Sequence, residues 1–287
     1  MVSDVSDKEL LPFAYNIVGS YQDAKDVVQE VMLERLRQPD IKIENEKAYL
    51  VRAVINRAIN WKNKQAKKIS EYPGTWLPEP VATESADGAL HQRDILSYSL
   101  MVLMEKLDAR SRAVFILKEA FDYDHEEIAS LLDISVENSR KILSRAKKQV
   151  RNSQAHTIAP KLPSGYLERY ISIIQSGDTK QLEALLHNDV IVTSDGGGKA
   201  IAAINPIVGK DHVLQFLSGI YRKAYQDVFI TSGFVNHQPA LLFFRNGALG
   251  TCQIFEMEDG KISQTYLMRN PDKLLILEAE FKKQSSD

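Results

Sequence analysis

The 287-residue chain predicts a multidomain protein: two all-α domains, the second a helix-turn-helix, followed by an α+β domain. Three observations predict it. Helical periodicity fills residues 8–69 and resumes from about Leu90 to Ser153, with a proline-rich break between. His125–Arg151 (HEEIASLLDISVENSRKILSRAKKQVR) has the form of two short helices joined by a tight turn. Beyond residue 165 the texture shifts to two short helical stretches and then to apolar runs of strand length, separated by turn residues. The length suits about two domains, with room for three small units.

The N-terminal helices come first. LLPFAYNIVGS carries an apolar stripe and stops at Gly19. A second helix spans roughly Tyr21–Gln38, ahead of Pro39, and a third runs from about Glu46 to Lys68. In the second, Ala24, Val27, Val28 and Val31 face inward, while Asp23, Asp26, Gln29 and Glu30 face outward. A negative face repels DNA; it suits a basic protein surface or simple solvation. The third helix is the opposite: Val51–Lys68 holds Arg52, Arg57, Lys62, Lys64, Lys67 and Lys68 without one acid, with Trp61 among them. Basic side chains neutralise phosphates, and an adjacent aromatic can stack on an unpaired base. A solvated basic face with Trp61 in the core is the alternative.

In the helix-turn-helix, Ile128, Ala129 and Leu132 share one face of the first helix. Ser135 is placed to cap the second helix, with Glu137 in its first turn, where the helix dipole favours a negative charge. Val136, Ser139, Leu143, Ala146 and Val150 form the inward stripe of that second helix. Asn138, Arg140, Lys141, Ser144, Arg145 and Lys148 lie opposite, and no acid occurs from Arg140 to Arg151. A capped turn followed by a face of one charge sign is how a recognition helix meets a major groove.

Two breaks divide the chain. EYPGTWLPEPVATESADG holds Pro73, Pro78 and Pro80 and excludes a helix; IAPKLPSG holds Pro160 and Pro163. The implied domains are 1–70, 93–155 and 165–287, with linkers at 71–92 and 156–164. In the last domain, helices at Tyr166–Gln175, Thr179–Leu186 and Lys210–Ala224 accompany the β-like runs DVFITSGFV, PALLFFRNG, GTCQIFEME and KISQTYLM. Asp259-Gly260 supports a hairpin between the last two runs. Helices packed on a curved antiparallel sheet are the expected α+β arrangement.

Composition sets bounds. Apolar residues make up 44% and charged residues 26%, as in ordinary globular proteins, and the net charge of −2 confines any nucleic-acid affinity to local patches. A single cysteine, Cys252, excludes an intrachain disulfide framework and a multi-cysteine zinc site, and suits the cytosol. No segment is long and apolar enough to span a membrane. A cytoplasmic protein with no metal and no cofactor is expected.

These pieces resemble a bacterial RNA polymerase sigma factor of the sigma-70 family, extracytoplasmic-function group, over about residues 8–152. AYNIVGSYQDAKDVVQEVML resembles the segment that docks on the coiled coil of the polymerase β′ subunit, which implies that contact for Asp26, Gln29 and Glu30. AYLVRAVINRAIN resembles the part that melts and reads the −10 element, which implies roles for Asn56, Arg57, Asn60, Trp61, Lys62 and Lys64. Asn60 stands where Asp is usual, and Asn63 where Arg is usual. The stretch from Leu107 to Val150 resembles the −35 reader, which implies DNA contacts for Asn138, Arg140, Lys141, Ser144, Arg145 and Lys148.

Three further motifs resemble those of the sigma factors in this group that carry a C-terminal SnoaL-like extension: WLPEP (Trp76, Leu77, Pro78, Glu79, Pro80), DGGGK (Asp195, Gly196, Gly197, Gly198, Lys199) and NPDKL (Asn270, Pro271, Asp272, Lys273, Leu274). The resemblance implies an α+β cone that acts as a built-in regulator, with no separate anti-sigma protein required. Trp76 and Leu77 need an apolar partner surface, either on the cone or on the neighbouring helical domain. DGGGK lacks the spacing of a phosphate-binding loop and is expected to make an interdomain contact.

Two rival readings carry their own tests. A catalytic or ligand-sensing cone needs a convergent pair among Asp195, His212, His237, Tyr266 and Arg269, and no spacing singles one out. A conventional DNA-binding regulator leaves the acidic helix and the Trp61 helix without a purpose.

Overall fold

A computed structural model describes residues 5–38, 42–83, 94–151, 165–224 and 227–284. The chain divides into two compact units: Met1–Ser70 with Gly88–His156, and Glu71–Asp87 with Thr157–Asp287. The expected helix stop at Pro39, the linker beyond Thr83 and the IAPKLPSG break up to Ser164 lie outside the described residues.

The first unit is helical: α1 (Asp7–Val18), α2 (Tyr21–Leu36), α3 (Glu46–Ser70), α4 (Tyr98–Met104), α5 (Ala109–Glu119), α6 (His125–Leu132) and α7 (Val136–Arg151). Local chemistry sets the boundaries. Gly19 takes φ +81°, and its N–H returns to the Tyr15 carbonyl, closing α1. Ser20 caps α2 through the Asp23 amide, and Asp108 caps α5. Asp124 accepts from the Glu126 and Glu127 amides while its own N–H donates to Glu127, a full capping box for α6. The helical pattern read from Leu90 onward begins, among the described residues, at Tyr98, because Asp94–Ser97 are held in another conformation by Asn16. The Asn16 side chain donates to the Asp94 carbonyl at 2.7 Å and accepts from the Leu96 amide at 3.2 Å.

Asn16 belongs to a buried polar hub that binds the N-terminal helices to those after residue 94. The fully buried Arg112 donates to the Asn16 carbonyl at 2.7 Å and pairs with Glu105. Glu105 also accepts from Lys62 at 2.7 Å. Burial alone raises a carboxyl pKa; the Arg112 and Lys62 charges outweigh it and hold Glu105 below its ordinary value. Beside the hub, Phe13 stacks on Phe121 with centroids 3.9 Å apart.

The second unit carries α8 (Tyr166–Ser176), α9 (Thr179–Leu185), β1 (Leu186–Asp195), β2 (Ile207–Val208), α10 (Lys210–Ala224), β3 (Phe229–Val235), β4 (Gln238–Arg245), β5 (Ala248–Glu258), β6 (Lys261–Met268) and α11 (Pro271–Gln284). The six strands form one sheet in the order β2-β1-β6-β5-β4-β3. The three hairpins from β3 to β6 turn on Asn236-His237, Asn246-Gly247 and Asp259-Gly260, all at positive φ, the signature of a turn that matches strand twist. The expected antiparallel sheet needs correction, because β1 and β6 run parallel. No turn joins these two; the chain between them passes through β2, α10 and β3–β5, and such a long connection leaves the direction free. α11 was not anticipated either, although Asn270 followed by Pro271 is a standard helix start. Leu167, Tyr170, Leu217, Phe243, Phe255 and their neighbours make the core between α8–α10 and the sheet.

Candidate functional site

The basic helix α7 presents the face read from its sequence. Ser139, Leu143 and Ala146 are buried, and Asn138, Arg140, Lys141, Ser144, Arg145 and Lys148 are all exposed. Asp133 ends α6 in the left-handed conformation, and the Ser135 hydroxyl accepts from the Asn138 amide at 3.1 Å. His125 is 2.9 Å from the Ser139 hydroxyl and ties α6 to α7. Burial first, and the Arg140 charge second, lower its pKa. Lys141 is paired with Glu137 one turn earlier, at the exposed surface.

On α2, Asp26, Gln29 and Glu30 are exposed and Ala24, Val27, Val28 and Val31 are buried. The −10 candidates on α3 are not equivalent. Asn60 and Lys64 are exposed, and Trp61 is half-buried. Arg57 is held by Glu34 at 2.7 Å and Glu30 at 3.1 Å, and the Glu34 hydrogen bond raises its pKa. The Asn56 amide reaches the Leu131 carbonyl of α6 at 3.4 Å. Lys62, expected on the DNA side, points inward: its ammonium donates to Glu105 and to the Val18 carbonyl at 3.1 Å. A long aliphatic stem lets a lysine cross an apolar layer to reach a buried carboxylate. No local signal marks this, because Glu105 lies 43 residues away.

The three short motifs meet around one carboxylate. Asp195, at the end of β1, is buried. Its Oδ1 accepts from the Tyr72 hydroxyl at 2.6 Å and the Gly197 amide at 2.9 Å. Its Oδ2 accepts from the Leu77 amide at 2.9 Å and the Lys273 ammonium at 2.7 Å. Its carbonyl accepts from the amides of Arg269 and Asn270. Lys273 also donates to the Leu77 carbonyl at 2.6 Å and sits 4.0 Å above the Trp76 ring, a cation–π contact. Asn270 donates to Tyr72 at 2.8 Å and caps α11 through the Asp272 amide. Gly197 takes φ +61°, and a Cβ there would stand 2.3 Å from the Asn270 side chain. Gly196 has no room for a Cβ, which would meet the Ala200 carbonyl at 2.1 Å. Lys199 closes the outside through Asp272.

WLPEP therefore packs on the C-terminal unit. Leu77, Pro78, Glu79 and Pro80 are buried there, and the chain continues as an added edge beside the β3–β4 turn. Val81 and Asn236 exchange two hydrogen bonds, the Thr83 amide donates to Phe234, and Ala82 bridges Val235. Sequence reasoning missed Tyr72, whose phenol burial and Asp195 together push to a higher pKa, and it missed this edge; Tyr72 directly precedes the motif's proline-rich run. Leu274 is buried at the start of α11.

No catalytic pair assembles from the candidates raised for an enzyme. Asp195 and Arg269 serve the motif cluster, where Arg269 also donates to the Ile201 carbonyl. His212 binds the Val208 carbonyl at the start of α10, His237 lies in the β3–β4 turn, and Tyr266 is buried against Glu256 and Gln264. No helix among the described residues is long and apolar enough to cross a membrane.

Two helical regions in one unit, followed along the chain by an α+β unit, define a class: a promoter-recognition sigma factor with a C-terminal extension. Residues 8–68 match sigma-70 region 2, and residues 97–150 match sigma-70 region 4. The chain is 29% identical to the ECF RNA polymerase sigma factor SigJ of Mycobacterium tuberculosis, over 93% of this chain and 90% of that protein. It is 26% identical to the probable ECF RNA polymerase sigma factor SigI of the same organism, over 94% of this chain and 93% of that one. The crystal structure of M. tuberculosis SigJ matches with a TM-score of 0.74 at 28% identity, covering 93% of this chain and 95% of that one. The chain belongs to the sigma-70 family, among its extracytoplasmic-function members.

Proposed function

We propose that the protein binds core RNA polymerase through Asp26, Gln29 and Glu30 on α2, against the β′ coiled coil. Arg140, Lys141 and Arg145, with Asn138, Ser144 and Lys148, then read the −35 element, and Asn60, Trp61 and Lys64 face the −10 element. Asn56 and Arg57 join them after leaving Leu131, Glu30 and Glu34; Lys62 first leaves Glu105. Domain limits at 70, 93 and 155 follow from this division. The same reading makes the protein a cytoplasmic transcription factor rather than an enzyme.

The C-terminal extension is the built-in regulator, so no separate anti-sigma protein is needed. One observation carries this: residues 72–83, which lie between the two matched sigma regions, are fastened to the extension through Asp195, Lys273 and Asn236. Twelve extended residues span about 40 Å, so holding or releasing them sets the reach between the −10 and −35 readers. The test is transcription from a cognate promoter by core polymerase with the wild-type protein, a Trp76→Ala/Lys273→Met variant and a chain lacking the extension. Changed output with unchanged core binding is expected. Equal output from all three removes the regulatory role.

A further inference from the structure

One acid stands among the cationic side chains of α7. Glu137 is the single acidic residue from Val136 to Arg151, in the first turn of the helix. Helical spacing sets it in line with Lys141, Ser144 and Lys148, one, two and three turns on. The Glu137 carboxylate accepts from the Lys141 ammonium at 2.7 Å, and the two side chains are 76% and 62% exposed. An exposed pair of this kind adds little to stability. The same carboxylate is repelled by DNA phosphates, so on a groove-facing surface it costs affinity.

That cost has a chemical use. The donors in the major groove are the amino groups of cytosine and adenine, and a carboxylate accepts from the cytosine N4 group. In a C·G pair this amino group is hydrogen-bonded to guanine O6, so a donor and an acceptor lie side by side about 3 Å apart. The Glu137–Lys141 pair sets an acceptor beside a donor at a matching 2.7 Å. An A·T pair also sets a donor beside an acceptor, but there the carboxylate meets the adenine N7 lone pair and the ammonium meets the thymine methyl. The first residues of a recognition helix are the ones that reach base edges.

We propose that Glu137 and Lys141 together read one C·G pair of the −35 element, Glu137 accepting from the cytosine amino group and Lys141 donating to guanine O6 and N7. This rests on the −35 reading proposed for α7. A first-turn acid also complements the helix dipole, a role indifferent to DNA sequence, so base preference separates the two.

The test is selection, by holoenzyme reconstituted from core polymerase and the full chain, from a duplex pool randomised over the upstream and downstream promoter elements. The wild-type protein enriches a C·G pair at one upstream position by about tenfold, the worth of one good base contact. Glu137→Ala loses the preference at that position, keeps the rest of the upstream sequence and binds unselected duplex more tightly. Lys141→Ala weakens the same position. Both side chains are exposed, so both variants fold, which circular dichroism checks. Unchanged preference at every upstream position in Glu137→Ala overturns the inference and leaves the −35 reading standing. Loss at two different positions in the two variants overturns the shared base pair. No upstream sequence enriched by the wild-type chain, or one that Arg140→Ala leaves unaltered, overturns the −35 reading and the inference with it.

Discussion

Replacing Asp195 by Asn keeps the shape of the side chain and removes its charge. Each carboxylate oxygen accepts from two donors: Tyr72 and Gly197 on one, Leu77 and Lys273 on the other. An amide has one acceptor oxygen, so in either orientation its NH₂ faces two donors. If it faces Leu77 and Lys273, the lysine loses its counter-charge at a site where only 12% of its side chain is exposed. Removing one partner of a buried pair costs about 3–5 kcal/mol, because the remaining charge stays desolvated. At 1.4 kcal/mol per tenfold, local opening of the Tyr72–Leu77 segment rises by roughly a hundredfold to a thousandfold or more. Native-state hydrogen exchange at the Leu77 amide reads this directly, with the Val81 and Thr83 amides as reporters of the rest of the segment. The cycle completed with Lys273→Met separates charge from shape. Lys273→Met leaves Asp195 three neutral donors, and the double variant removes both charges, so the double costs less than the sum by about 1–3 kcal/mol. An unchanged Leu77 exchange rate in a folded Asp195→Asn protein would refute the reasoning, as would strict additivity in the cycle.

Glu105→Gln removes the carboxylate shared by Lys62 and the fully buried Arg112, so unit-wide unfolding in urea shifts by about 3–5 kcal/mol. Glu105 titrates below its ordinary value, so its contribution is present above a pH of about 4.5 and is lost on acidification through the folded value. Arg140→Ala weakens binding to promoter DNA by about 1–3 kcal/mol while core polymerase binding, measured by co-purification, is unchanged. His125 titrates below the ordinary value of about 6.5 in the folded protein; the unfolded chain takes up the proton first, so stability present above that pH falls as pH drops through it. A two-dimensional NMR titration checks the direction, and in Arg140→Ala the His125 value moves back up.

Much of the helical half was legible because its signals are local. Gly19, Ser135 and the one-signed face of α7 each fix a helix end or a surface within a turn or two of sequence. The hairpins were equally plain where Asp259-Gly260 stood between apolar runs, and Asn236-His237 and Asn246-Gly247 offered the same kind of signal. What escaped was set by distant partners. Lys62 reads like any other base on α3, yet Glu105 draws it into the core. β1 carries no local mark of its direction, yet it lies parallel to β6.

The same division holds for the function-bearing motifs. By itself the sequence determined that two helical regions, an acidic face on α2, a basic recognition helix and an α+β unit follow one another, since composition and periodicity act over one element at a time. It also marked WLPEP, DGGGK and NPDKL as unusual, but left open which surface Trp76 and Leu77 cover. Only the tertiary structure decided that question. Burying Asp195 requires four donors for its two oxygens, and the chain supplies them from Tyr72, Leu77, Gly197 and Lys273, segments up to about 200 residues apart that no local rule connects.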